Sequence, residues 1–207
     1  MADYSSAPVH LAGRRLHLRD FRFDDLAAYG SWQMPGHAWQ DLDGPYYPRL
    51  NKAQVEEAIK RTRRAIELQS WPRPRPRLVI AEEAGDQLIG IVSWYWIGEE
   101  TNWLAVGIVL FDPDNWGHGF GYEALGLWCE YLFSAMPRIV RLDLRTWSGN
   151  QGMMKLARKL GFVEEARFRQ ARIVNGAYFD GLGYGILREE WQARYGEGFH
   201  GHLLGRT

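Results

Sequence analysis

The sequence predicts an α+β fold: a mixed, mostly antiparallel sheet of six to seven strands with helices on both faces. Three observations carry that expectation. The apolar pattern alternates between period two and helical spacing, in the order strand, two helices, three strands, helix, strand, helix and a final hairpin. The three central strands are joined by short turns and form a meander. The helix that follows them lies between two strands, near 104 and 145, and demands a crossover, which makes the sheet mixed.

The elements follow in chain order. Residues 1–10 read as a loose tail. Leu16 to Leu18 with Arg19 forms a first strand, and Asp24-Asp25 opens a helix through about Trp32. Residues 33–50 hold Pro35, Gly36, Gly44, Pro45 and Pro48 and read as a loop. Asn51 with Gln54 is a capping box, and Val55, Ile59 and Ile66 mark the buried face of the helix it starts. Residues 71–77, Trp-Pro-Arg-Pro-Arg-Pro-Arg, are extended because three prolines remove donors. They read as a stiff connector with solvated arginines; an anion-binding arm is the less favoured alternative.

Strands near 78–82, 88–97 and 102–111 come next, turned by Ala84-Gly85-Asp86 and by residues 98–101. The second turn sets Trp96 opposite Trp103, with Trp94 on the same face. Core packing is the favoured role of these indoles; an aromatic wall for a ligand, with Trp32 and Trp39 above it, is the alternative. Leu125, Trp128, Cys129 and Leu132 recur at helical spacing over 121–133. Residues 139–146 alternate as a strand. A helix over 150–160 buries Met153, Leu156, Ala157 and Leu160 and stops at Gly161. Asn175-Gly176 turns a hairpin of 163–174 and 177–188. The domain is thus expected over 11–191, with 192–207 as a C-terminal tail.

Composition narrows the function. The chain has 207 residues, 25 basic and 25 acidic side chains, and no net charge, which argues against a nucleic-acid partner. Ten Trp, ten Tyr and nine Phe exclude a disordered chain. The single Cys129 excludes an internal disulfide and a cysteine-rich zinc site. His200-x-His202 lacks carboxylate companions, so no metal is expected. No stretch has the length of a membrane span, and Met1 to His10 lacks the form of a secretory signal, so a cytoplasmic location is the default.

The chemistry concentrates in Asp112-Pro113-Asp114-Asn115-Trp116-Gly117-His118-Gly119-Phe120-Gly121-Tyr122-Glu123, between an apolar strand and an amphipathic helix. Alternating glycines let the backbone turn sharply and bare its N–H groups. Together with the free amides of the helix N-terminus they suit a pyrophosphate. A glycine-rich helix-entry turn without a ligand is the plainer reading. The spacing departs from the dinucleotide G-x-G-x-x-G, and a Walker Gly-Lys-Ser/Thr ending is absent.

That loop resembles the pyrophosphate-binding motif of the GNAT acetyltransferases. Ser148-Gly149-Asn150 followed by Lys159-Leu160-Gly161-Phe162 resembles the second motif of that superfamily. The hairpin with Tyr178 and Asp180, and Leu187-Arg188-Glu189-Glu190-Trp191 after it, is similar to the branch containing ribosomal-protein N-terminal acetyltransferases. The resemblance spans roughly residues 14–191. It implies transfer of an acetyl group from acetyl-CoA to a primary amine of a small molecule or a peptide N-terminus, by direct attack. Two strands, 102–111 and 139–146, are expected to splay around the pantetheine arm, which would meet Val109, Leu110 and Phe111. Trp116, Gly117, His118, Gly119, Phe120, Gly121 and Tyr122 would hold the pyrophosphate, and Asn150 the pantetheine. Asn150 also reads as a first-turn residue behind a Ser148–Gln151 capping box.

The proton-transfer positions of the family are changed. Ala157 stands where many members have a tyrosine, Met153 where the ribosomal branch has a serine, and Arg172 where it has a glutamate. Apart from these, in the glycine loop, Trp116 replaces an Arg or Gln and a polar side chain is lost, though its backbone N–H can still serve. An alkylammonium with a pKa of about 10 still has to lose a proton. Asp180 is the expected base, with Glu99, Asp41, Tyr178, Ser148 or a water relay as alternatives. A non-catalytic acyl-CoA-binding domain on the same fold is the competing reading, and a homodimer is left open.

Overall fold

The structure, a computed structural model, describes residues 3–196 and 198–205. Its strands are β1 (Asp3–Ser5), β2 (His10–Ala12), β3 (Leu16–Arg19), β4 (Trp71–Arg73), β5 (Arg77–Glu82), β6 (Leu88–Gly98), β7 (Trp103–Leu110), β8 (Arg141–Trp147), β9 (Val163–Val174) and β10 (Ala177–Leu187). Its helices are α1 (Asp25–Gln33), α2 (Lys52–Leu68), α3 (Phe120–Ala135), α4 (Gln151–Leu160), α5 (Arg188–Arg194) and α6 (Phe199–Leu204). The main sheet has eight strands in the order β2-β3-β5-β6-β7-β8-β10-β9. All neighbours are antiparallel except β7 and β8, which are parallel, as the crossover through α3 requires. The mixed, mostly antiparallel sheet is therefore as expected, with one strand more.

Helices cover both faces. Leu78 and Ile80 of β5 point into one core with Leu125, Trp128 and Leu132 of α3, while Val79 and Ala81 point into a second with Phe21, Tyr29 and Phe111. A central strand buried on both sides reads as a continuous apolar run, as Leu78 to Ala81 does. The capping box forms: Asn51 Oδ1 accepts from the Gln54 N–H at 3.0 Å, and Gln54 Oε1 accepts from the Asn51 N–H at 2.9 Å.

Several expectations are corrected. Residues of the supposed N-terminal tail pair as strands: β1 with β4 and β2 with β3. The supposed C-terminal tail folds back as α6, where Phe199 is fully buried against Tyr122, Trp191 and Tyr195. The proline-rich connector does not merely solvate its arginines. Arg75 is 0% exposed; its guanidinium bonds Asp20 at 2.7 Å and the Ala7 carbonyl at 2.7 Å. Trp103 does not face Trp96. A short helical turn at Glu99–Thr101 and an irregularity before Gly98 pair Trp103 with Gly98, and Trp96 with Leu104. That slip sends Trp103 to the opposite face from Trp94 and Trp96, which pack edge to face at 5.1 Å on the α3 side.

One polar anchor joins the start of α3 to the strand before α1. Glu123, in the first turn of α3, has a side chain 3% exposed. Its Oε1 accepts the backbone N–H groups of Arg14 at 2.5 Å, Arg15 at 2.9 Å and Leu16 at 3.3 Å. We expect Glu123→Ala to leave these donors without an acceptor and to destabilise the fold by about 3 kcal/mol, given the worth of bonds to a charged group. A urea denaturation series on the two proteins measures it; a difference within error would show that the anchor contributes nothing.

Candidate active site

The parallel ladder between β7 and β8 is short. It covers Leu104–Val106 against Leu142–Leu144 and stops. Beyond it β7 stays paired with β6 as far as Leu110, and β8 stays paired with β10 as far as Trp147. The two strands diverge, and a cavity of about 1300 Å³ occupies the wedge. The Phe111 N–H donates to the Ile89 carbonyl at 3.0 Å, which sets the phase of the β6–β7 ladder. Antiparallel alternation then directs the backbone polar groups of Val109 and Phe111 at β6, and those of Ile108 and Leu110 at the gap.

At one end of the cavity lies the glycine loop. Asp112 Oδ1 accepts the Asp114 N–H at 3.0 Å and tightens the turn. The Trp116 indole N–H donates to the Leu110 carbonyl at 3.0 Å and pins the loop to the end of β7. Gly117 and Gly119 have φ of 78° and 89°, a region that favours glycine. The Arg15 guanidinium donates to the His118 carbonyl at 2.8 Å and lies 4.6 Å from the Phe120 ring centroid. The first-turn amides of α3 have no intrahelical acceptor. Lys155 and Lys159 of α4 add positive charge to the same end.

Of the expected cofactor residues, Val109, Leu110, Trp116, Gly117, Gly119, Gly121, Tyr122 and Asn150 line the cavity. His118 and Phe120 do not: the loop alternation that turns its glycines to the cavity turns them to the Arg15 side. Phe111 is a correction. It is fully buried in the second core, stacked on Trp32 at 5.8 Å, and its N–H is taken by Ile89. Asn150 is the cap of α4, not a first-turn residue behind Ser148. Its Oδ1 accepts the Met153 N–H at 2.9 Å, and its Nδ2 donates to the Leu42 carbonyl at 3.2 Å. The Ser148 hydroxyl instead accepts the Asp180 N–H at 3.0 Å.

At the other end the cavity is aromatic and charged. The Leu42 carbonyl also accepts the Trp147 indole N–H at 2.9 Å, so the 34–50 loop is clamped over the divergence and Asp43 is held at the cavity beside Tyr46 and Tyr47. Asp43 keeps an exposed face, yet the protein packed around its carboxyl raises it above the usual carboxylate range by desolvation, with the Arg49 charge opposing. Arg141 bridges Asp143 at 2.6 Å and Glu165. Trp39, Tyr95, Trp103 and Phe168 line the cavity, whereas Trp94 and Trp96 pack on the α3-side core, the favoured role, and Trp32 on the second core.

The expected base is corrected. Asp180 is absent from the cavity wall. Its carboxylate accepts the Gln170 N–H at 3.0 Å and a bond from Arg167 at 2.8 Å, and these hold it below the usual carboxylate range. Such a group stays ionised and is a weak base. Asp41 pairs with Arg49. Like Glu99, Tyr178 and Ser148, it lies off the cavity wall. The sequence reading missed Asp43, Asp143, Glu165, Arg141 and Arg145. One signal was present: Gly181, Gly183 and Gly185 alternate along β10 and leave one face of that strand bare.

Three comparisons bear on this site. Residues 15–163 match a family model described as an acetyltransferase (GNAT) domain. The chain is 22% identical over 193 residues to the SPbeta prophage-derived uncharacterized N-acetyltransferase YokL of Bacillus subtilis, covering 92% of this chain and 99% of the relative. Among solved structures it is similar to a GNAT-family acetyltransferase from Bacillus anthracis (TM-score 0.69, 17% identity, 88% of this chain and 100% of that one). It is also similar to the ribosomal-protein-S5-alanine acetyltransferase of Vibrio fischeri (TM-score 0.68, 20% identity, 88% and 98%).

Because its side chain caps α4 and clamps the 34–50 loop, Asn150→Ala should lower stability by about 1 kcal/mol, the usual worth of a helix cap. Denaturant midpoints measure this; an unchanged midpoint would show that neither bond matters to the fold.

Proposed function

Because the chain belongs to the GNAT family of acetyltransferases, we propose that it transfers an acetyl group from acetyl-CoA to the primary amine of a small molecule or a peptide N-terminus, with both substrates held in the one cavity. The observation that carries this reading is continuity. The cavity wall runs unbroken from the glycine loop, through the β7–β8 divergence, to the raised carboxyl of Asp43.

The residues at the loop fit a pyrophosphate. Positive φ at Gly117 and Gly119 opens the backbone, and a Cβ placed on Gly117 would meet nothing within 4 Å, so the loop is not filled by the protein. The Gly117–Tyr122 backbone and the cations Lys155 and Lys159 would hold the phosphates. The edge of β7 at Ile108 and Leu110 would orient the pantetheine arm, and the second amide hydrogen of Asn150 is oriented by its cap. Acetyl-CoA supplies the acyl group as a thioester. Asp43 takes the proton that the incoming ammonium must lose, a task its upward shift suits because a base closer to neutrality accepts protons more readily. Met153 and Ala157 leave no acid at the positions where relatives keep one, and the thiolate leaves as an anion. The competing reading of a non-catalytic binding domain drew on the missing proton-transfer groups, and Asp43 weakens that motive.

Thiol release from acetyl-CoA over an amine panel tests the activity. Gly119→Val forces a branched residue into positive φ and brings it toward Arg15; CoA affinity by calorimetry should fall, and unchanged affinity would remove the loop from the site. Asp43→Asn should lower kcat/KM by about 10²–10⁴, the range of general-base catalysis. Asp180→Asn should not. In the unmutated protein the rate should fall as pH drops through the raised Asp43 value, and this limb should vanish in Asp43→Asn. Equal losses in the two variants, or a limb that survives the Asp43 change, would exclude Asp43 as the base.

A further inference from the structure

The acceptor end of the cavity carries two guanidinium groups that the fold itself does not neutralise. Arg141 is neutralised, by Asp143 and Glu165. Arg145 of β8 has no ion pair among the described residues and lies against the Trp103 ring, 5.7 Å from its centroid. Arg172 of β9 likewise lacks one. It lies 4.7 Å from the Tyr46 centroid and donates one Nη1 bond to the Ala171 carbonyl at 2.9 Å. Its Nε is buried with no hydrogen-bond partner. An unsatisfied buried donor on a cation is costly, and its natural complement is an acceptor brought by a ligand.

Placement strengthens the point. Gly183 pairs with Arg145 in the β8–β10 ladder, and a Cβ at Gly181 would lie 3.5 Å from the Arg172 guanidinium carbon. The two arginines thus flank a strip of bare backbone, one from each neighbouring strand. Each guanidinium lies over an aromatic ring, Trp103 or Tyr46, and its fork of N–H groups matches a planar, bidentate partner. Charge at this end is balanced, with Arg141, Arg145 and Arg172 against Asp43, Asp143 and Glu165. A balanced site with separated signs suits a zwitterion better than a polycation.

Resting on the acetyltransferase reading of this cavity, we propose that the acceptor is a primary amine that also carries a carboxylate, an amino acid in chemical class, with Arg145 and Arg172 holding the carboxylate and the amine directed at Asp43. The aromatic wall accommodates an apolar side chain between them.

The test compares acceptors that differ only in that carboxylate: phenylalanine with 2-phenylethylamine, tryptophan with tryptamine, and lysine with cadaverine, each with saturating acetyl-CoA. The amino acids should have kcat/KM about 10- to 100-fold higher, the worth of hydrogen bonds to a charged group. Arg172→Gln and Arg145→Gln should each raise KM for the amino acids far more than for the amines, with acetyl-CoA affinity and melting temperature unchanged. Equal rates for the paired acceptors, a preference for the amines, loss of both series alike in the variants, or no turnover of either series while acetyl-CoA binds would overturn the proposal. Failure of acetyl-CoA to bind would overturn the reading beneath it, and the proposal with it.

Discussion

The site depends on how little β7 and β8 bond to each other. A parallel pair in the middle of an eight-stranded sheet normally continues for the length of the strands, because every unpaired N–H and C=O within a sheet has to find another partner. Here the pairing ends after three residues on each strand. The strands cannot close again, because each is held by its other neighbour. β7 is paired with β6 from Trp103 to Leu110, and β8 with β10 from Arg141 to Trp147. The result is an interior edge that has polar groups but belongs to no ladder. An edge of this kind is a liability at the rim of a sheet. Inside the sheet, next to an anion-binding loop, it becomes a place for an extended ligand.

Two polar side chains at helix starts hold the two sides of this opening. Glu123 gathers three backbone donors from residues 14–16 and so fixes the first turn of α3 against the strand before α1. Asn150 caps α4 and, together with the Trp147 indole, grips the Leu42 carbonyl. Asn150 works through a terminal N–H that its helix leaves unpaired, whereas Glu123 takes donors from the segment that leads into β3. The consequence is that the glycine loop and the 34–50 loop are tied to rigid elements by a few directional bonds. Asp43 owes its position to the second of these ties, one residue beyond Leu42.

Legibility in the sequence followed the range of the interactions. The Asn51–Gln54 box, the Asn175-Gly176 turn and the glycine loop are local, and each was readable from adjacent residues. The fold class followed from their order. What escaped was decided by partners far along the chain. Arg75 sits among prolines and exposed arginines in sequence, and only Asp20 and the Ala7 carbonyl distinguish it. The α6 segment looks like a polar, glycine-rich tail, but Phe199 packs directly on Gly126 of α3, where a Cβ would come within 2.0 Å of its ring. Trp103 changed faces because a single irregularity in β6 shifts every later residue by one, and a period-two pattern has no memory of where such a slip occurs.

The alternate glycines of β10 were of a different kind, being local, visible and still unread. Gly181, Gly183 and Gly185 lie on one face of a strand flanked on both sides. Glycine weakens a strand interior, and three on one face leave open space above the strand. The neighbours are long and charged. A Cβ at Gly185 would come within 2.5 Å of both the Arg141 guanidinium and the Glu165 carboxylate, which meet across the strand. Gly181 lies beside Arg172, whose guanidinium carbon a Cβ would meet at 3.5 Å, while Gly183 pairs with Arg145 and a Cβ there would meet only Ala166, at 3.4 Å. A β-strand with one face reduced to backbone, bordered by strands whose facing residues are arginines and acids, is therefore itself a signature. It marks the floor of a polar cavity, and the charges of the bordering residues indicate what kind of ligand that floor receives.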